Sequence, residues 1–338
     1  MCERGVRKIF TIKKSIKLIL SLTVALCMAV SASAQELVAG GEAVGIRMST
    51  DGVVVASLAS VETEAGTLSP AADAGFKPGD IIIKFGDAEI HSADDFISCT
   101  QKLDGSEVNI TLLRNGKTKQ IKISPARATD GSLRLGLMLR NEISGVGTLT
   151  FYDPEKGVYG ALGHSISDPE TNEPLPLLEG DIYNAEIVSI VPGTAGTPGE
   201  LDGVSDTERT VGDIQINCDC GIFGAAEPQD GSTLETGEMH EGEASLLCTL
   251  NGTQVGEYKV RITKVGESGG VTVATLRITD EALLSSTGGI VQGMSGSPIL
   301  QDGKLVGAVT HVLVNDPASG YGISIYDMLN AAEDCKAA

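Results

Sequence analysis

The chain has 338 residues, of which 41% are hydrophobic, 42 are glycine and none is tryptophan. That length suffices for two modest domains, and the abundant glycine predicts many short strands and tight turns rather than long helices. The first 34 residues hold six of the 25 basic and one of the 45 acidic residues, which leaves 19 basic against 44 acidic residues, a net charge of −25, for the remainder. A surface of that sign repels phosphate groups, so we expect no nucleic acid partner.

Residues 1–34 are typical of a targeting segment rather than of a folded domain. Six basic residues precede an apolar run from Leu18 to Val30, and Ala32-Ser33-Ala34 follows that run. The pattern fits a secretory signal that is cleaved after Ala34. It fits an uncleaved membrane anchor almost as well, because residues 16–34 approach the length that spans a bilayer. In both cases the basic flank stays in the cytoplasm and the rest of the chain is exported.

Five cysteines lie beyond this segment, and an odd number argues against a complete disulfide framework in an exported chain. Cys218 and Cys220, together with His240 and Cys248, offer side chains that bind zinc, but their spacing is irregular and no C-x-x-C pair is present. We therefore predict free or partly paired thiols, and we expect neither a metal ion nor an organic cofactor.

A compact domain is predicted at residues 43–126, after a short linker at residues 35–42. Its predicted elements, in chain order, are strands at 45–48 and 52–57, a short helix within 70–80, a strand at 81–85, a helix at 92–102 with Ser92 as its N-cap, and a hairpin of strands 108–114 and 119–123 joined by Asn115-Gly116. This mixture of strands and short helices predicts an α+β domain.

One run within this domain carries a resemblance. Ala71-x-x-Ala-Gly-Phe-Lys-Pro-Gly-Asp80-Ile-Ile, followed by the turn Phe85-Gly-Asp87, resembles a PDZ domain of the bacterial type. Such domains bind an extended peptide, often a C-terminus, as an added strand. The resemblance implies that a loop holds the terminal carboxylate through its backbone N–H groups, and the matching residues are Ala43, Val44, Gly45 and Ile46. The alternative is that these residues simply begin a strand.

A second domain is predicted at residues 137–332, between a polar linker at 127–136 and a tail at 333–338. Its clearest strands are predicted at 158–162, 185–191, 271–278, 298–300 and 305–310. Many strands joined by Gly-rich turns favour a closed or nearly closed β architecture. The whole chain is thus predicted to be mainly β.

Two segments of this domain carry the candidate chemistry, Gly160-Ala-Leu-Gly-His164 and Gly293-Met-Ser-Gly-Ser-Pro298. A histidine followed much later by a serine in a glycine-flanked turn is the order of a trypsin-like serine peptidase, whose domain is a double β-barrel. The pattern G-x-S-G-x-P places the nucleophile third, which is Ser295, with Ser297 as a competitor. The N–H groups of Gly293 and Ser295 are the predicted oxyanion donors.

The other members of the predicted catalytic triad are a base and an orienting acid. His164 is the predicted base and His311 its strongest competitor, with a core hydrogen-bonding role as the alternative. Asp280 is the predicted acid because it lies between His164 and Ser295, although it could instead cap a helix that begins at Glu281. Asp168 and Asp213 are the further candidates.

Longer motifs extend this pattern over nearly the whole chain. Residues 148–154, 159–168, 221–224, 287–298 and 306–322 are similar to segments of the SpoIVB peptidase family, the stage IV sporulation serine peptidases. The resemblance implies a PDZ domain ahead of a trypsin-like peptidase domain, with His164, Asp280 and Ser295 as the triad.

The resemblance also implies a setting. Members of the family are exported from the forespore into the space between the two spore membranes. They cleave themselves near the N-terminus, and they cut a membrane-bound regulator of a metalloprotease that activates a sporulation sigma factor. The rival interpretation is an inactive, peptidase-like PDZ adaptor that binds a membrane partner.

Overall fold

The computed structural model describes residues 35–168, 172–229 and 231–334. The predicted signal or anchor segment, residues 1–34, lies outside the described residues. Within the described ranges, no helix combines the length and the apolar character that crossing a membrane requires.

The first half of the described chain alternates strands with two short helices. In chain order they are β1 Glu36–Ala39, β2 Ala43–Leu58, β3 Val61–Thr63, β4 Gly66–Leu68, α1 Pro70–Ala74, β5 Ile81–Phe85, β6 Ala88–Glu89, α2 Ala93–Thr100, β7 Val108–Arg114, β8 Lys117–Ile123, β9 Ala126–Arg127, β10 Leu133–Arg134 and β11 Leu137–Asp153.

The second half continues the strands and adds two helices. They are β12 Val158–Ala161, β13 Leu177–Val191, β14 Glu200–Asp213, β15 Ile216–Cys218, β16 Gly221–Ala225, β17 Thr233–Glu235, β18 Gly242–Asn251, β19 Gln254–Ser268, β20 Val271–Ile278, α3 Glu281–Thr287, β21 Pro298–Gln301, β22 Lys304–Leu313, β23 Asp316–Ser324 and α4 Ile325–Ala332.

Residues 43–124 form a small α+β unit around its own core, in which Phe76, Phe85 and Phe96 are buried. The rings of Phe85 and Phe96 meet edge to face with 5.5 Å between their centroids, the arrangement that the aromatic quadrupole favours. The predicted Ser92 cap is present: its hydroxyl accepts from the Asp95 N–H, and the Asp95 carboxylate accepts in return from the Ser92 N–H.

Strand β2 joins this unit, the predicted PDZ domain (the PDZ unit below), to residues 137–332, the predicted peptidase domain (the peptidase region below). Its second half pairs with β5, where Val53 lies opposite Ile82. Its first half pairs with β11 on one edge and with β13 on the other, so that Gly45 lies opposite both Val146 and Tyr183. One continuous sheet of 13 strands therefore crosses from the PDZ unit into the peptidase region.

The C-terminal part of the chain closes into a six-stranded barrel in the order β18-β19-β20-β23-β22-β21. Its interior is filled by fully buried apolar side chains such as Leu246, Leu276 and Ile299. The other half of the peptidase region is the curled sheet β15-β16-β12-β11. The predicted mainly β fold is confirmed. Of the double β-barrel predicted for residues 137–332, one half is the closed barrel and the other half is the curled sheet.

Both predicted linkers contain paired strands. Within 35–42, β1 pairs with β11 and with β17, and within 127–136, β9 pairs with β10. The local sequence gives little sign of the first pairing, because the partner strands lie more than a hundred residues further along the chain.

Candidate active site

A cavity of about 460 Å³ lies between the curled sheet and the closed barrel. It brings His164, which follows β12, together with Ser295, which precedes β21. Its remaining walls are mostly apolar and come from β11, from the segment after His164, from residues 290–293 and from β22; the large apolar side chains are Ile46, Ile143, Val146, Leu162, Ile166, Ile290, Val291, Val312 and Val314.

The serine turn, residues 293–298, is held by backbone hydrogen bonds to both halves of the peptidase region. The Gly296 N–H donates to the Val309 oxygen (2.8 Å), and the Thr148 N–H donates to the Ser295 oxygen (2.9 Å). Gly296 has a φ of 93°, and a Cβ there would lie 2.1 Å from the Thr148 oxygen. Only glycine fits this position, because both the conformation and the space exclude a side chain.

Two backbone N–H groups of this turn have no acceptor among the described residues. The Met294 N–H donates to the Val291 oxygen and the Ser297 N–H to the Met294 oxygen, whereas those of Gly293 and Ser295 donate to no described residue. These are the two groups that the sequence pattern predicts as oxyanion donors. Unpaired N–H groups beside a nucleophile can stabilise the negative charge of a tetrahedral intermediate.

The two serines of the turn have different surroundings. Ser295 lines the cavity, and its hydroxyl donates to the Thr310 backbone oxygen at 2.8 Å. Ser297 is fully buried, and its hydroxyl has no hydrogen-bond partner among the described residues. Only Ser295 is therefore placed to meet a substrate.

His164 follows a tight bend in which Leu162 and Gly163 both have φ near 70°. Its Nδ1 lies 2.8 Å from the Ser165 backbone oxygen. A carbonyl oxygen only accepts, so Nδ1 carries the proton, and Nε2 is left as the acceptor that a general base needs. The Ser165 carbonyl thus fixes the same tautomer that a triad carboxylate would fix.

Burial and, to a smaller extent, the neighbouring His311 lower the pKa of His164 to about 4, against the opposing hydrogen bond to Ser165. The two imidazole rings lie 4.5 Å apart, centroid to centroid. Burial also lowers the pKa of His311. Both rings are therefore neutral at pH 7, the state in which His164 can accept a proton.

The Asp280 carboxylate lies at the N-terminus of helix α3. Its Oδ1 accepts from the N–H groups of Ala282 and Leu283, each at 3.0 Å, and its Oδ2 accepts from the Lys259 N–H at 3.3 Å. The pKa of Asp280 is lowered, chiefly by the Leu283 hydrogen bond. These contacts are those of a helix cap.

The other two candidate acids are also engaged elsewhere. Asp168 is buried and accepts from Arg140 Nη2 at 3.2 Å, and Asp213 accepts from the Ala225 N–H at 2.7 Å. Of the three candidate carboxylates, none is among the described residues that line the cavity. The structure thus brings His164 and Ser295 together, while the orienting role of Asp280 stays a prediction.

The predicted carboxylate loop of the PDZ unit, Ala43, Val44, Gly45 and Ile46, lies at the start of β2. All four residues are buried and pair with β11, and Val44, Gly45 and Ile46 also pair with β13. A peptide that added as a strand beside them would have to displace one of those partners. They therefore lie where the alternative interpretation expects them, at the beginning of a strand.

Sequence reasoning missed Asn217 on β15. Its Oδ1 accepts from the Ile166 N–H at 2.7 Å, and its Nδ2 donates to the oxygens of Ile166 and Leu175, each at 2.9 Å. The side chain therefore joins the two described parts of the histidine loop, residues 163–168 and 172–176. The only signal in the sequence is one amide between two apolar residues, Ile216 and Cys218, which does not reveal its partners.

Comparisons with known proteins cover both regions. Residues 131–329 match the family described as SpoIVB peptidase S55, and residues 43–124 match a PDZ domain. The zinc metalloprotease RasP of Oceanobacillus iheyensis is 33% identical over 60 residues, which are 18% of this chain and 14% of that protein. The chain therefore covers only a small part of that curated relative.

Two solved structures are also similar. The PDZ domain of the SdrC-like protein Lmo2051 from Listeria monocytogenes is 30% identical, covering 26% of this chain and 87% of that one, with a TM-score of 0.22. The Rv3671c protease from M. tuberculosis, in its active form, is 15% identical, covering 56% of this chain and 75% of that one, with a TM-score of 0.34.

Proposed function

Because this chain belongs to the SpoIVB peptidase S55 family, we propose that it is a serine endopeptidase with Ser295 as the nucleophile and His164 as the general base. The observation that carries the proposal is the shared cavity, where Ser295 and His164 lie beside two N–H groups that donate to no residue in the described part of the chain. This arrangement supplies a nucleophile, a base in the required tautomer and an oxyanion site.

The reaction begins when the Ser295 hydroxyl turns from the Thr310 oxygen towards His164. His164 Nε2 accepts the hydroxyl proton as Oγ attacks the carbonyl carbon of the scissile peptide bond. The N–H groups of Gly293 and Ser295 stabilise the negative oxygen that forms. His164 then donates the proton to the leaving amine, and a water molecule releases the acyl group by the same steps.

The walls of the cavity suggest the substrate. No Asp, Glu, Lys or Arg is among the described residues that line it, and its apolar area comes from branched aliphatic side chains. A charged side chain would lose its hydration there without gaining a partner. We therefore propose that the peptidase cleaves beside uncharged, apolar residues.

We extend the proposal to the setting that the family implies. The chain is exported, with residues 1–34 as its signal or anchor, and it acts in the space between the two forespore membranes. There it cleaves itself near the N-terminus and cuts a membrane-bound regulator of a sporulation metalloprotease, so that a sigma factor is activated. The support for this setting is the family membership together with the PDZ domain.

One observation favours a second function. The Ser295 hydroxyl is bonded to a backbone oxygen and no candidate carboxylate lines the described part of the cavity, as expected of an inactive PDZ adaptor that only binds a membrane partner. The two functions differ in turnover. An adaptor would release no cleavage product from any peptide.

The experiment is cleavage of the chain's own N-terminal region and of a library of unstructured peptides by the purified full chain. Ser295→Ala should abolish both activities. Ser297→Ala is the matched control and should keep them, because it removes a buried hydroxyl that has no described partner. Cleavage that persists in Ser295→Ala would contradict the assignment, and absence of cleavage by the folded wild type would favour the adaptor.

A further inference from the structure

Two cysteines share the tight turn between β15 and β16. Cys218 lies opposite Gly221 in the hairpin register, so the chain reverses direction over Asp219 and Cys220. Both thiols are half-buried, and both cysteines are free. The turn thus places two thiols side by side where small solutes can reach them.

The hydrogen bonds of the turn favour a thiolate on Cys218. In this turn Cys220 and Gly221 follow within three residues of Cys218, and the Cys220 thiol and the N–H groups of both residues lower the pKa of Cys218. They lower the pKa of Cys218 to about 6, against burial and the charge of Asp219. The pKa of Cys220 is raised, chiefly by its bond to Cys218 and by burial, with smaller contributions from Asp219 and Asp327. Cys218 is the nucleophile of the pair and Cys220 the protonated neighbour.

The same turn is in contact with the histidine loop. A Cβ on Gly221 would lie 2.6 Å from the Ala161 oxygen and 3.4 Å from the Gly163 nitrogen, one residue before His164. Asn217, the residue before Cys218, makes the three hydrogen bonds to Ile166 and Leu175. A change in the backbone of the turn therefore reaches the histidine loop at two points.

We propose that Cys218 and Cys220 form a peroxide-sensitive dithiol site, and that the disulfide between them displaces the histidine loop. The Cys218 thiolate attacks a hydroperoxide, the O–O bond breaks, and the products are a Cys218 sulfenic acid and an alcohol or water. The Cys220 thiol then attacks the sulfenic sulfur, releases water and leaves the disulfide. A dithiol reductant restores both thiols by exchange.

The disulfide must change the turn. Two free thiols are replaced by a covalent S–S bond of about 2 Å with a fixed dihedral preference, across a single intervening residue. The disulfide closes a ring through residues 218–220. Asn217 and Gly221 flank this ring, so they have to move with it. A displacement of about 1 Å at a catalytic group can cost ~10²-fold in rate. The effect on activity rests on the proposed peptidase function, whereas the thiol chemistry does not.

The experiment treats the purified full chain with hydrogen peroxide and follows three readouts. Mass spectrometry of the peptide that contains residues 218–220 should show the loss of two hydrogen atoms, and Cys220→Ser should instead yield a sulfenic acid that dimedone traps on Cys218. Hydrogen exchange of the Ile166 amide should become faster on oxidation. Peptidase activity should fall by ~10²-fold and return with dithiothreitol.

The matched controls are the double variant Cys218→Ser/Cys220→Ser, which should keep its activity under peroxide, and Cys99, half-buried on α2, which should stay reduced at the same dose. No disulfide at residues 218–220 would overturn the dithiol site. A disulfide without faster Ile166 exchange would overturn the link to the histidine loop. A reduced chain that cleaves nothing would refute the peptidase function, while the other two readouts would still test the site.

Discussion

The serine turn and the histidine loop meet at one cavity, but they are held there by different means. The serine turn is fixed chiefly by backbone hydrogen bonds to β11 and β22 and by glycines that no other residue replaces, and the Thr148 and Thr150 hydroxyls support it by donating to the Gly293 and Gly296 oxygens. The histidine loop is fixed largely by side chains that reach it from elsewhere, namely Asn217 from β15 and Arg140 from β11. The nucleophile thus depends on backbone geometry, and the base depends on a few polar contacts that a single substitution removes.

The largest effect is expected in the serine turn. Gly296→Ala would force a side chain within 2.1 Å of the Thr148 oxygen at a φ of 93°, so the turn has to open. We expect peptidase activity to fall by more than ~10²-fold and the melting temperature to drop. Gly266→Ala on β19 is the control, because a Cβ there meets no atom within 4 Å. A fully active Gly296→Ala variant would show that the turn is less constrained than its contacts indicate.

Asn217→Ala in β15 should reduce activity nearly as much as Gly296→Ala. It removes three hydrogen bonds and leaves the Ile166 N–H and the Ile166 and Leu175 oxygens without their Asn217 partner. We expect kcat to fall by ~10²-fold, with a loss of about 1–3 kcal/mol in the free energy of unfolding. Gln254→Ala, which truncates an exposed amide at the start of β19, should change neither quantity. Unaltered kcat in a destabilised Asn217→Ala chain would limit Asn217 to a structural role.

Two substitutions of Asp280 distinguish a helix-capping role from the role of a catalytic acid. Asp280→Ala removes both the cap and the charge, whereas Asp280→Ser keeps a capping oxygen and removes only the charge. From the contacts with Ala282 and Leu283, we expect Asp280→Ala to lose ~1 kcal/mol of stability and Asp280→Ser to keep both its stability and its activity. A loss of about 10⁴-fold in kcat in both variants would instead establish Asp280 as the orienting acid.

The smallest effect concerns the acid limb of the pH–rate profile. Since the pKa of His164 is about 4, kcat/KM should hold from neutral pH to about pH 5 and fall only as His164 binds a proton. The free energy of unfolding should decline as pH falls from about 6.5 to 4. In this range His164 is protonated in the unfolded chain but still neutral in the folded chain.

His311→Gln should move this acid limb to higher pH. The substitution removes the positive charge that His311 carries when it is protonated at acidic pH, and that charge helps to lower the pKa of His164. The shift should be partial, since burial is the larger cause. Profiles of kcat/KM for the wild type and His311→Gln measure it. A limb near pH 6.5 in both proteins would contradict the burial of His164 in the working enzyme.

Local sequence patterns predicted the elements whose contacts lie close in the chain. The Asn115-Gly116 turn joins β7 to β8, the Ser92 cap begins α2, and the alternative role of Asp280 as the cap of a helix from Glu281 matches α3. The pairing of β2 on both edges could not be predicted, because its partners lie about a hundred residues away in β11 and β13. Asn217 was missed because its partners Ile166 and Leu175 lie 51 and 42 residues earlier in the chain.

The central claim is that Ser295 is a nucleophile activated by His164, and a fluorophosphonate probe tests it most directly. Peptide mapping of the labelled full chain should place the adduct on Ser295. His164→Ala should slow the labelling by orders of magnitude, and Ser297→Ala should leave it unchanged. Labelling of Ser297, or labelling of Ser295 at an equal rate without His164, would contradict the account.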